Sequence, residues 1–478
     1  MSKIDLRRFA RSGIAANNGS SQLRSRVVKP SSMSFHSGLA KANVVMAVAL
    51  ASNGECQFSA IPFHYIVNHP STVSLSTTTM QNPELKSIHP FPARMAAEIA
   101  FKHLSSSRNL RVLDPMAGSG TTLAAAQHHG HKATGFDMDP LAVLMSTVRC
   151  SEVNCDFAEQ IASSLIGEAR HIAKTVALRD AYPGGSNDPE TRAFIRYWFD
   201  ARNRRQLFAL SESIRKVDDE AVKNLLWCAL SRTIIKKKGG ASLAMDVSHS
   251  RPHRVGSKSE NQAIDLFKDA VKSLCTLLRA RSQDLKVEAS ISRGDARKLP
   301  LEDASIDMVI TSPPYLNAID YLRGHRLSLV WMGHAIPTLR VVRSSSIGSE
   351  WSGTGTPNEE LTTLADQICS GRKCPDKLRR TLCRYLSDLD TSISEMSRVL
   401  VKDGKAVVVI GNASNKGVFI SNSKAFTWLG KKHGLHCTES KVRRIPNNRR
   451  YLPTPAKGTG SLAQRMRTET VLVLQKEH

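Results

Sequence analysis

The chain has 478 residues, which suggests two or three domains, or one large domain with an insertion. Its formal net charge of +25 predicts attraction to a polyanion, and nucleic acid is the favoured one. We find no uncharged apolar stretch that could span a bilayer and no standard secretory signal, so we expect a soluble, cytoplasmic protein without a membrane partner.

The first 40 residues are rich in Arg, Ser and Asn and have few clustered apolar side chains, which predicts a disordered or loosely attached basic arm. An organelle transit peptide has a similar composition. The apolar run at 44–50 fits either a strand or a buried helix, because periodicity does not separate the two.

Strands and helices alternate along two tracts of the chain. In the first tract, strands are predicted at 112–113 and 133–136, and helices at 121–129 and from Pro140 onward. The second tract repeats the pattern, with strands predicted at 287–291, 306–310 and 406–410. This alternation predicts an α/β fold with a mostly parallel sheet.

Residues 151–285 separate the two tracts and have the periodicity of helices, for example at Leu207, Leu210 and Ile214. We therefore predict a largely helical insertion. Its basic part at 236–254 contains Gly and Ser and is expected to form a loop. The later stretch 334–380 shows no clear strand.

The nine cysteines include no C-x-x-C pair and no repeating spacing. Cys369, Cys374 and Cys383 lie close together in sequence, but no paired ligand spacing accompanies them. We expect reduced thiols that serve as packing residues, and no metal site.

The loop after the first strand reads D-P-M-A-G-S-G-T-T, and its glycines let the backbone turn sharply and approach a ligand. It departs from the dinucleotide motif G-x-G-x-x-G and begins with an acid, which suits a cationic ligand better than a phosphate. S-adenosylmethionine is such a ligand, because it carries an ammonium and a sulfonium group and no phosphate. The loop residues assigned to this cofactor are Asp114, Pro115, Gly118, Ser119, Gly120, Thr121 and Thr122.

Two further acids follow strands of the same predicted sheet. Asp137 ends the second strand, where it can accept hydrogen bonds from ribose hydroxyls. Asp295 follows the third strand and can accept a hydrogen bond from the adenine amino group. We therefore assign both acids to the cofactor site.

The tetrapeptide Ser312-Pro313-Pro314-Tyr315 follows a buried strand and is the candidate catalytic loop. Two consecutive prolines make the loop rigid and remove two N–H donors, which leaves a site of hydrogen-bond acceptors. Such acceptors suit an exocyclic amine, because hydrogen bonds to Ser312 Oγ and the Pro313 carbonyl would favour a pyramidal nitrogen. Tyr315 would stack on the base, which is worth roughly 1–3 kcal/mol.

Together these motifs resemble those of the DNA amino-methyltransferases, which use S-adenosylmethionine to make N4-methylcytosine or N6-methyladenine. The cofactor loop differs from the family pattern D-P-F-x-G-S-G-T-T only at Met116. Residues 88–95 are similar to the family segment that supports the methionine end of the cofactor, which adds three residues to the site: Phe91, Pro92 and Arg94.

The resemblance implies a Rossmann-like methyltransferase fold that is formed by residues 41–150 and 286–478, with the insertion between them. It also implies that residues 447–475 contain a closing β-hairpin. The expected activity is site-specific methylation of a flipped-out base in double-stranded DNA, in a prokaryotic or phage context near the nucleoid. A cognate restriction endonuclease is a partner that such enzymes can have.

A Ser before Pro-Pro-Tyr is more usual in the cytosine-N4 enzymes of this family, which favours N4 of cytosine over N6 of adenine. An RNA or protein-glutamine methyltransferase and a non-catalytic nucleic-acid-binding protein with the same fold are the alternatives. A carbon-5 cytosine methyltransferase is disfavoured, because the chain lacks the Pro-Cys step that supplies its nucleophile.

The insertion is the candidate target-recognition region, because its basic stretch can reach phosphates and base edges. A charge run that is merely solvated is the other interpretation. The residues assigned to DNA contact are Lys236, Lys237, Lys238, Arg251 and Arg254.

Overall fold

The computed structural model describes most of the chain after residue 84. The described residues are 46–50, 56–60, 85–90, 95–105, 107, 109–185, 187–236, 238–247, 252–281, 287–316, 320–348, 358–370, 374–415, 418–445 and 468–477. The predicted basic arm at 1–40 lies outside them.

The chain divides into two compact units, Met1–Met80 and Gln81–His478. In the first unit, strand β1 (Met46–Leu50) pairs antiparallel with strand β2 (Cys56–Ala60). The apolar run at 44–50, which the sequence left open between strand and helix, therefore contains a strand.

The second unit contains the helices and strands of both predicted tracts. Its helices are α1 (Ala97–Leu104), α2 (Thr121–His128), α3 (Pro140–Cys150), α4 (Cys155–Thr175), α5 (Pro189–Trp198), α6 (Ala201–Arg215), α7 (Glu220–Ile234), α8 (Ala263–Arg279), α9 (Leu322–Leu329), α10 (Ile336–Ser345), α11 (Glu359–Ile368), α12 (Asp376–Val399) and α13 (Asn422–Lys432). Its strands are β3 (Arg111–Asp114), β4 (Lys132–Asp137), β5 (Ala244–Met245), β6 (His253–Arg254), β7 (Ala289–Arg293), β8 (Ile306–Thr311), β9 (Cys369–Ser370), β10 (Leu400–Ile410), β11 (Ala413–Asn415), β12 (Val418–Ile420), β13 (Leu435–Arg444) and β14 (Thr468–Lys476).

A seven-stranded sheet with the order β13-β14-β10-β8-β3-β4-β7 organises this unit. The strands from β10 to β7 are parallel to one another, and β14 lies antiparallel to both of its neighbours. This is a Rossmann-like α/β fold, and the predicted fold class is confirmed. The two smaller sheets of the unit have the orders β11-β12-β9 and β5-β6.

The closing hairpin begins earlier than predicted. Its second arm, β14, contains the apolar run at 470–474, but its first arm is β13, which ends before the predicted start at Asn447. The side chains of β13 after Leu435 are largely exposed, so the strand has no continuous apolar pattern that would reveal it in the sequence.

Helices cover both faces of the sheet, because successive side chains of its central strands point to opposite sides. On β10, Val407 and Val409 pack in one hydrophobic cluster with α1 and α2. Val408 and Ile410 pack in another cluster with α11, α12 and α13. Buried strands of this kind are continuous apolar runs, which is why β8 and β10 were predictable from the sequence.

The helices from α4 to α8 confirm the helical character of 151–285, and four of them begin at a side-chain cap. Each cap accepts a hydrogen bond from a backbone N–H in the first turn of its helix. The caps of α4, α5, α6 and α7 are Asn154, Asp188, Asp200 and Asp219. These helices share one buried cluster with α3, α9 and α10, so the insertion packs directly onto elements of both tracts.

No helix in the described part of the chain is both long enough and apolar enough to cross a bilayer. The described cysteines are free thiols. Within the same residues, no group of three or more His, Cys, Asp or Glu side chains is arranged to hold a metal ion.

Candidate active site

The two predicted functional loops leave the sheet on either side of the point where its strand order reverses. From β3 the chain builds outward through β4 to β7, and then returns to β8 on the other side of β3. Loops that leave the carboxyl ends of adjacent strands in opposite directions open a crevice between them, and α/β folds bind ligands there. Asp114 ends β3 and Ser312 follows β8, so the cofactor loop and the catalytic loop border this crevice.

Hydrogen bonds join the two loops. Thr311 Oγ1 donates to Oδ1 of Asp114 over 2.7 Å, and both side chains are buried. Thr122 Oγ1, at the start of α2, donates to the Ile310 carbonyl of β8 over 3.1 Å. The cofactor loop and the catalytic loop are therefore parts of one rigid structure.

The glycine loop has the backbone that the sequence motif requires. Gly118 and Gly120 have φ angles of +52° and +74°, a region that side chains with a Cβ rarely adopt. A Cβ at Gly120 would also lie 3.1 Å from Ser146. Ser146 Oγ donates to the Gly118 carbonyl over 2.9 Å, and Arg149 Nε donates to the Ser119 carbonyl over 2.7 Å. Helix α3 thus holds the loop in place.

Asp114 is a buried acid at the base of this loop. Its Oδ1 accepts hydrogen bonds from Thr311 and from the backbone N–H of Met116, the latter over 3.1 Å. Burial raises the pKa of Asp114 to about 6, although these hydrogen bonds and one from Thr122 oppose the rise. A cationic ligand would bring the pKa back down, because it would stabilise the carboxylate.

Asp137, the predicted ribose acceptor, lies at the end of β4 beside the same loop. Its oxygens accept hydrogen bonds from the backbone N–H groups of Gly118 and Asp139, each over 2.9 Å. Burial and the neighbouring carboxylate of Asp139 raise its pKa to about 7, and the two backbone donors oppose the rise. The Gly118 contact shows that Asp137 and the glycine loop form one site.

Asp295 follows β7, as predicted, but its oxygens are already engaged. Arg297 donates to Oδ1 through Nε over 3.0 Å and to Oδ2 through its terminal nitrogen over 2.7 Å. Burial acts to raise the pKa of Asp295, but the hydrogen bonds from Arg297 outweigh it and lower that pKa. An adenine amino group would have to share these oxygens, so the role of Asp295 stays a prediction.

The catalytic loop presents acceptors, as its sequence predicts. The Ser312 hydroxyl donates a hydrogen bond to the Val409 carbonyl of β10 over 3.0 Å, so its Oγ keeps a lone pair to accept in addition to its contact with Tyr315. The Tyr385 hydroxyl donates to the Pro314 carbonyl over 3.1 Å and anchors the loop. The neighbouring Pro313 carbonyl has no hydrogen-bond partner among the described residues.

Tyr315 is half-buried and packs against the hydrophobic cluster of α11, α12 and α13. Burial and the Glu469 carboxylate raise its pKa to about 12, although a hydrogen bond with Ser312 opposes the rise. The phenol is therefore neutral at physiological pH. Its predicted stacking on a base stays a prediction.

Five of the predicted site residues lie outside the described residues: Phe91, Pro92, Arg94, Lys237 and Arg251. The remaining basic residues, Lys236, Lys238 and Arg254, are non-helical or in the short β5–β6 pair, in agreement with the predicted loop. Their contact with DNA stays a prediction.

Sequence reasoning missed several residues that build the site. Thr311, Ser146, Arg149 and Tyr385 each fix a loop by one hydrogen bond to a carboxylate or a carbonyl. Of these, only Thr311 lies next to a motif. The others are distant in sequence from the groups that they hold, and no spacing signal reveals them.

The residues present fit S-adenosylmethionine in their chemistry. The carboxylates of Asp114 and Asp137 can offer negative charge to a cationic ligand and acceptors to ribose hydroxyls. Both border the glycine loop, since Asp114 accepts from the Met116 N–H and Asp137 accepts from the Gly118 N–H.

Sequence comparison finds relatives among the type II DNA methyltransferases, whereas no protein-family model matches the chain. M.MvaI of Kocuria varians is 22% identical over 81% of this chain and 90% of its own length. M.MjaII of Methanocaldococcus jannaschii is 18% identical over 74% of this chain and 77% of its own. M.AvaI of Nostoc sp. is 26% identical over 51% of this chain, and the chain spans 52% of its length.

Solved structures with detectable similarity include a SAM-dependent methyltransferase from Methanosarcina mazei, with a TM-score of 0.28 and 9% identity over 80% of this chain and 99% of that one. A candidate DNA modification methylase of Thermus thermophilus, solved with S-adenosyl-L-methionine, has a TM-score of 0.21 and 18% identity over 39% of this chain and 54% of that one. Both scores are too low to support an argument, so the fold rests on the strand order. The sequence comparison agrees with the predicted resemblance: the chain is similar to type II DNA methyltransferases, and its site fits S-adenosylmethionine as cofactor.

Proposed function

We propose that this protein transfers a methyl group from S-adenosylmethionine to an exocyclic amino group of a DNA base, and that the base is cytosine, modified at N4. The observation that carries the proposal is the pair of acceptors in the catalytic loop. Ser312 Oγ donates a hydrogen bond to the Val409 carbonyl and can itself accept one, and the adjacent Pro313 carbonyl is unpartnered among the described residues.

Two hydrogen-bond acceptors would make the exocyclic amine a better nucleophile. The lone pair of an exocyclic amine is delocalised into the ring, so the nitrogen is a poor nucleophile. Hydrogen bonds from its two N–H groups to Ser312 Oγ and the Pro313 carbonyl would favour a pyramidal nitrogen with a localised lone pair. The cofactor supplies an electrophilic methyl group on a sulfonium centre. As the nitrogen takes the methyl group from the sulfonium sulfur, positive charge would develop on the amine, and the same two acceptors would stabilise it. The sulfur would leave as a neutral thioether, and one N–H proton of the methylated amine would then pass to solvent.

The rigidity of the loop supports this role. Tyr385 holds the Pro314 carbonyl, and Thr311 is fixed to Asp114 of the cofactor loop. The acceptors therefore keep a fixed position relative to the cofactor loop, which lowers the entropic cost of bringing base and cofactor together. Tyr315 is adjacent to these acceptors in the chain, where it can contact the face of an extruded base.

The choice of cytosine rests on the resemblance of the Ser312-Pro313-Pro314-Tyr315 loop to the cytosine-N4 enzymes. Adenine-N6 methylation is the second candidate, because both reactions need the same two acceptors. Type II relatives also suggest that the protein acts at a defined DNA sequence and that a restriction endonuclease with the same specificity accompanies it.

Contacts of the basic stretch support its role in binding DNA beside the active site. A Cβ at Gly324 of α9 would lie 2.8 Å from the Val247 carbonyl, so the β5–β6 region packs closely on this helix. The next residue, His325, pairs with Asp139, two residues beyond the ribose acceptor Asp137. Val247 belongs to the basic stretch at 236–254, so this stretch contacts α9. On their charge we assign Lys236, Lys238 and Arg254, together with Lys237 and Arg251, to phosphate contact.

A methyl-transfer assay tests the proposal. Labelled S-adenosylmethionine and DNA of varied sequence should give labelled DNA with the wild-type protein. Ser312→Ala should bind the cofactor normally in calorimetry and lose most turnover. Absence of both transfer and cofactor binding in the wild-type protein would refute the enzymatic function, and full turnover of Ser312→Ala would refute the role of the loop.

A further inference from the structure

A buried histidine on α9 is paired with an acid beside the cofactor loop. The Nδ1 atom of His325 is hydrogen-bonded to Oδ2 of Asp139, and the two side chains are only 3% and 12% exposed. Helix α9 is the first helix after the catalytic loop, whereas Asp139 follows β4. The pair therefore connects the segment after the catalytic loop to the segment that carries the predicted ribose acceptor.

Asp139 uses each of its polar groups. Its Oδ1 accepts from the Leu141 N–H over 2.9 Å and caps α3. Its backbone N–H donates to Oδ1 of Asp137 over 2.9 Å. The other oxygen of Asp139 is the one that His325 holds. Without that donor, one carboxylate oxygen of Asp139 would lose its hydrogen bond next to the Asp137 carboxylate.

A chain of hydrogen bonds also fixes α9. His89 is bonded through Nε2 to Ser231 Oγ over 2.9 Å, and Ser231 Oγ donates to Ser328 Oγ over 3.0 Å. Ser328 Oγ in turn donates to the His325 carbonyl over 3.0 Å. All four residues are buried, so α9 is held in one position against α7 and the segment at 85–90.

We propose that His325 is a positioning residue for the cofactor: by holding Asp139, it fixes the backbone donor that orients the Asp137 carboxylate toward the ribose hydroxyls. This inference rests on the proposed function, because it takes Asp137 as the ribose acceptor. It assigns a role in cofactor binding to a residue that follows the catalytic loop. No motif of the sequence points to His325.

The experiment compares two replacements of His325 by calorimetry with S-adenosylmethionine. Leu has a similar volume and cannot donate, whereas the Asn amide nitrogen lies close to the place of Nδ1 and can donate to Asp139. We expect His325→Leu to raise the Kd of the cofactor about tenfold and His325→Asn to restore most of the affinity, in line with supporting hydrogen bonds elsewhere. The kcat at saturating cofactor and the Kd for DNA should change much less.

A second His–Asp pair supplies the control for lost stability. His433 Nε2 is bonded to Asp390 Oδ1 over 2.7 Å, between α13 and α12. His433→Leu should lower the thermal midpoint but leave the cofactor Kd unchanged. The positioning role would be overturned if His325→Leu bound the cofactor as tightly as the wild-type protein. It would also be overturned if His433→Leu weakened cofactor binding as much as His325→Leu does. If the wild-type protein itself fails to bind S-adenosylmethionine, the proposed function fails first.

Discussion

Thr311 Oγ1 donates a 2.7 Å hydrogen bond to Oδ1 of Asp114, and this contact joins the strand before the catalytic loop to the first acid of the cofactor loop. The two residues are distant in sequence but end adjacent parallel strands. The bond satisfies a carboxylate that is almost completely buried. It also fixes the distance between the groups that would hold the methyl donor and the methyl acceptor.

We expect Thr311→Val to lower the free energy of unfolding by about 1–3 kcal/mol, because it leaves a buried carboxylate with one donor fewer. The pKa of Asp114, already raised to about 6, should rise further. Thr311→Ser keeps the hydroxyl and is the matched control. Chemical denaturation measures the effect, and equal stability of the Val and Ser variants would show that the bond contributes nothing.

Gly120→Ala should weaken cofactor binding and lower stability by more than Gly130→Ala does. Both glycines have positive φ angles, +74° and +76°, so both substitutions carry a backbone cost of about 1–2 kcal/mol. Only at Gly120 would the new Cβ also meet Ser146 at 3.1 Å, whereas nothing lies within 4 Å at Gly130. Thermal unfolding and calorimetry of the two variants separate the contact from the strain. Identical losses in both would show that the contact between the loop and Ser146 contributes nothing.

Cofactor affinity should rise with pH through about 7, the pKa to which burial and the Asp139 carboxylate raise Asp137. The carboxylate can accept from two ribose hydroxyls, and protonation removes part of that capacity. Asp114 also contributes a rise near its own pKa of about 6. Calorimetry between pH 5.5 and 8.5, a window of roughly 1.5 units on either side of 7, measures the effect. Asp137→Asn should abolish the component near 7, and a flat wild-type profile would contradict the ionised role of Asp137.

Stability of the cofactor-free protein should change in the opposite direction. The pKa of Asp137 is raised in the folded state from 3.8 to about 7, so the folded protein binds a proton more tightly than the unfolded chain does. Asp137 therefore contributes a free energy of unfolding that falls as pH rises from about 4 to about 7. The difference in unfolding free energy between the wild-type protein and Asp137→Asn should shift in this direction across the window, and a difference that does not depend on pH would contradict the shifted pKa.

Neutralising the basic stretch at Lys236, Lys237, Lys238, Arg251 and Arg254 should weaken DNA binding and flatten its salt dependence. The slope of log affinity against log salt should fall by about 0.9 for each phosphate contact that is lost. Exposed lysines near the opposite, amino-terminal edge of the sheet supply the control: Lys132, Lys402 and Lys405. An unchanged slope, or the same change in both variants, would remove this surface from the DNA interface.

Much of the site was predictable because the ends of buried parallel strands can be recognised in the sequence. Apolar runs such as β8 stop abruptly at polar or glycine-rich loops, and the carboxyl ends of parallel strands meet at one edge. Asp114, Asp137 and Ser312 could therefore be placed together from sequence order alone. The glycine motif then favoured a cationic ligand, because an acid stands at its start.

The remainder depends on contacts between residues that are far apart in sequence. Asp295 pairs with Arg297, which also binds Asp388, and this pairing reduces the capacity of Asp295 to accept further hydrogen bonds. The local sequence could suggest the contact with Arg297, which is two residues away, but not the contact between Arg297 and Asp388. Strand β13 was not predicted, because its exposed residues do not alternate between apolar and polar side chains. The chain from His89 through Ser231 to α9 consists of ordinary buried polar residues, which acquire a role only when the helices pack.

Nucleoside mass spectrometry separates methylation at N4 of cytosine from methylation at N6 of adenine in one measurement. DNA from cells that express the protein, digested to nucleosides, should contain N4-methylcytosine, and DNA from cells that express Ser312→Ala should contain almost none. N6-methyladenine in its place would contradict the assignment of the base while preserving the reaction. The absence of any methylated nucleoside, with the protein expressed and folded, would show that the protein does not methylate DNA.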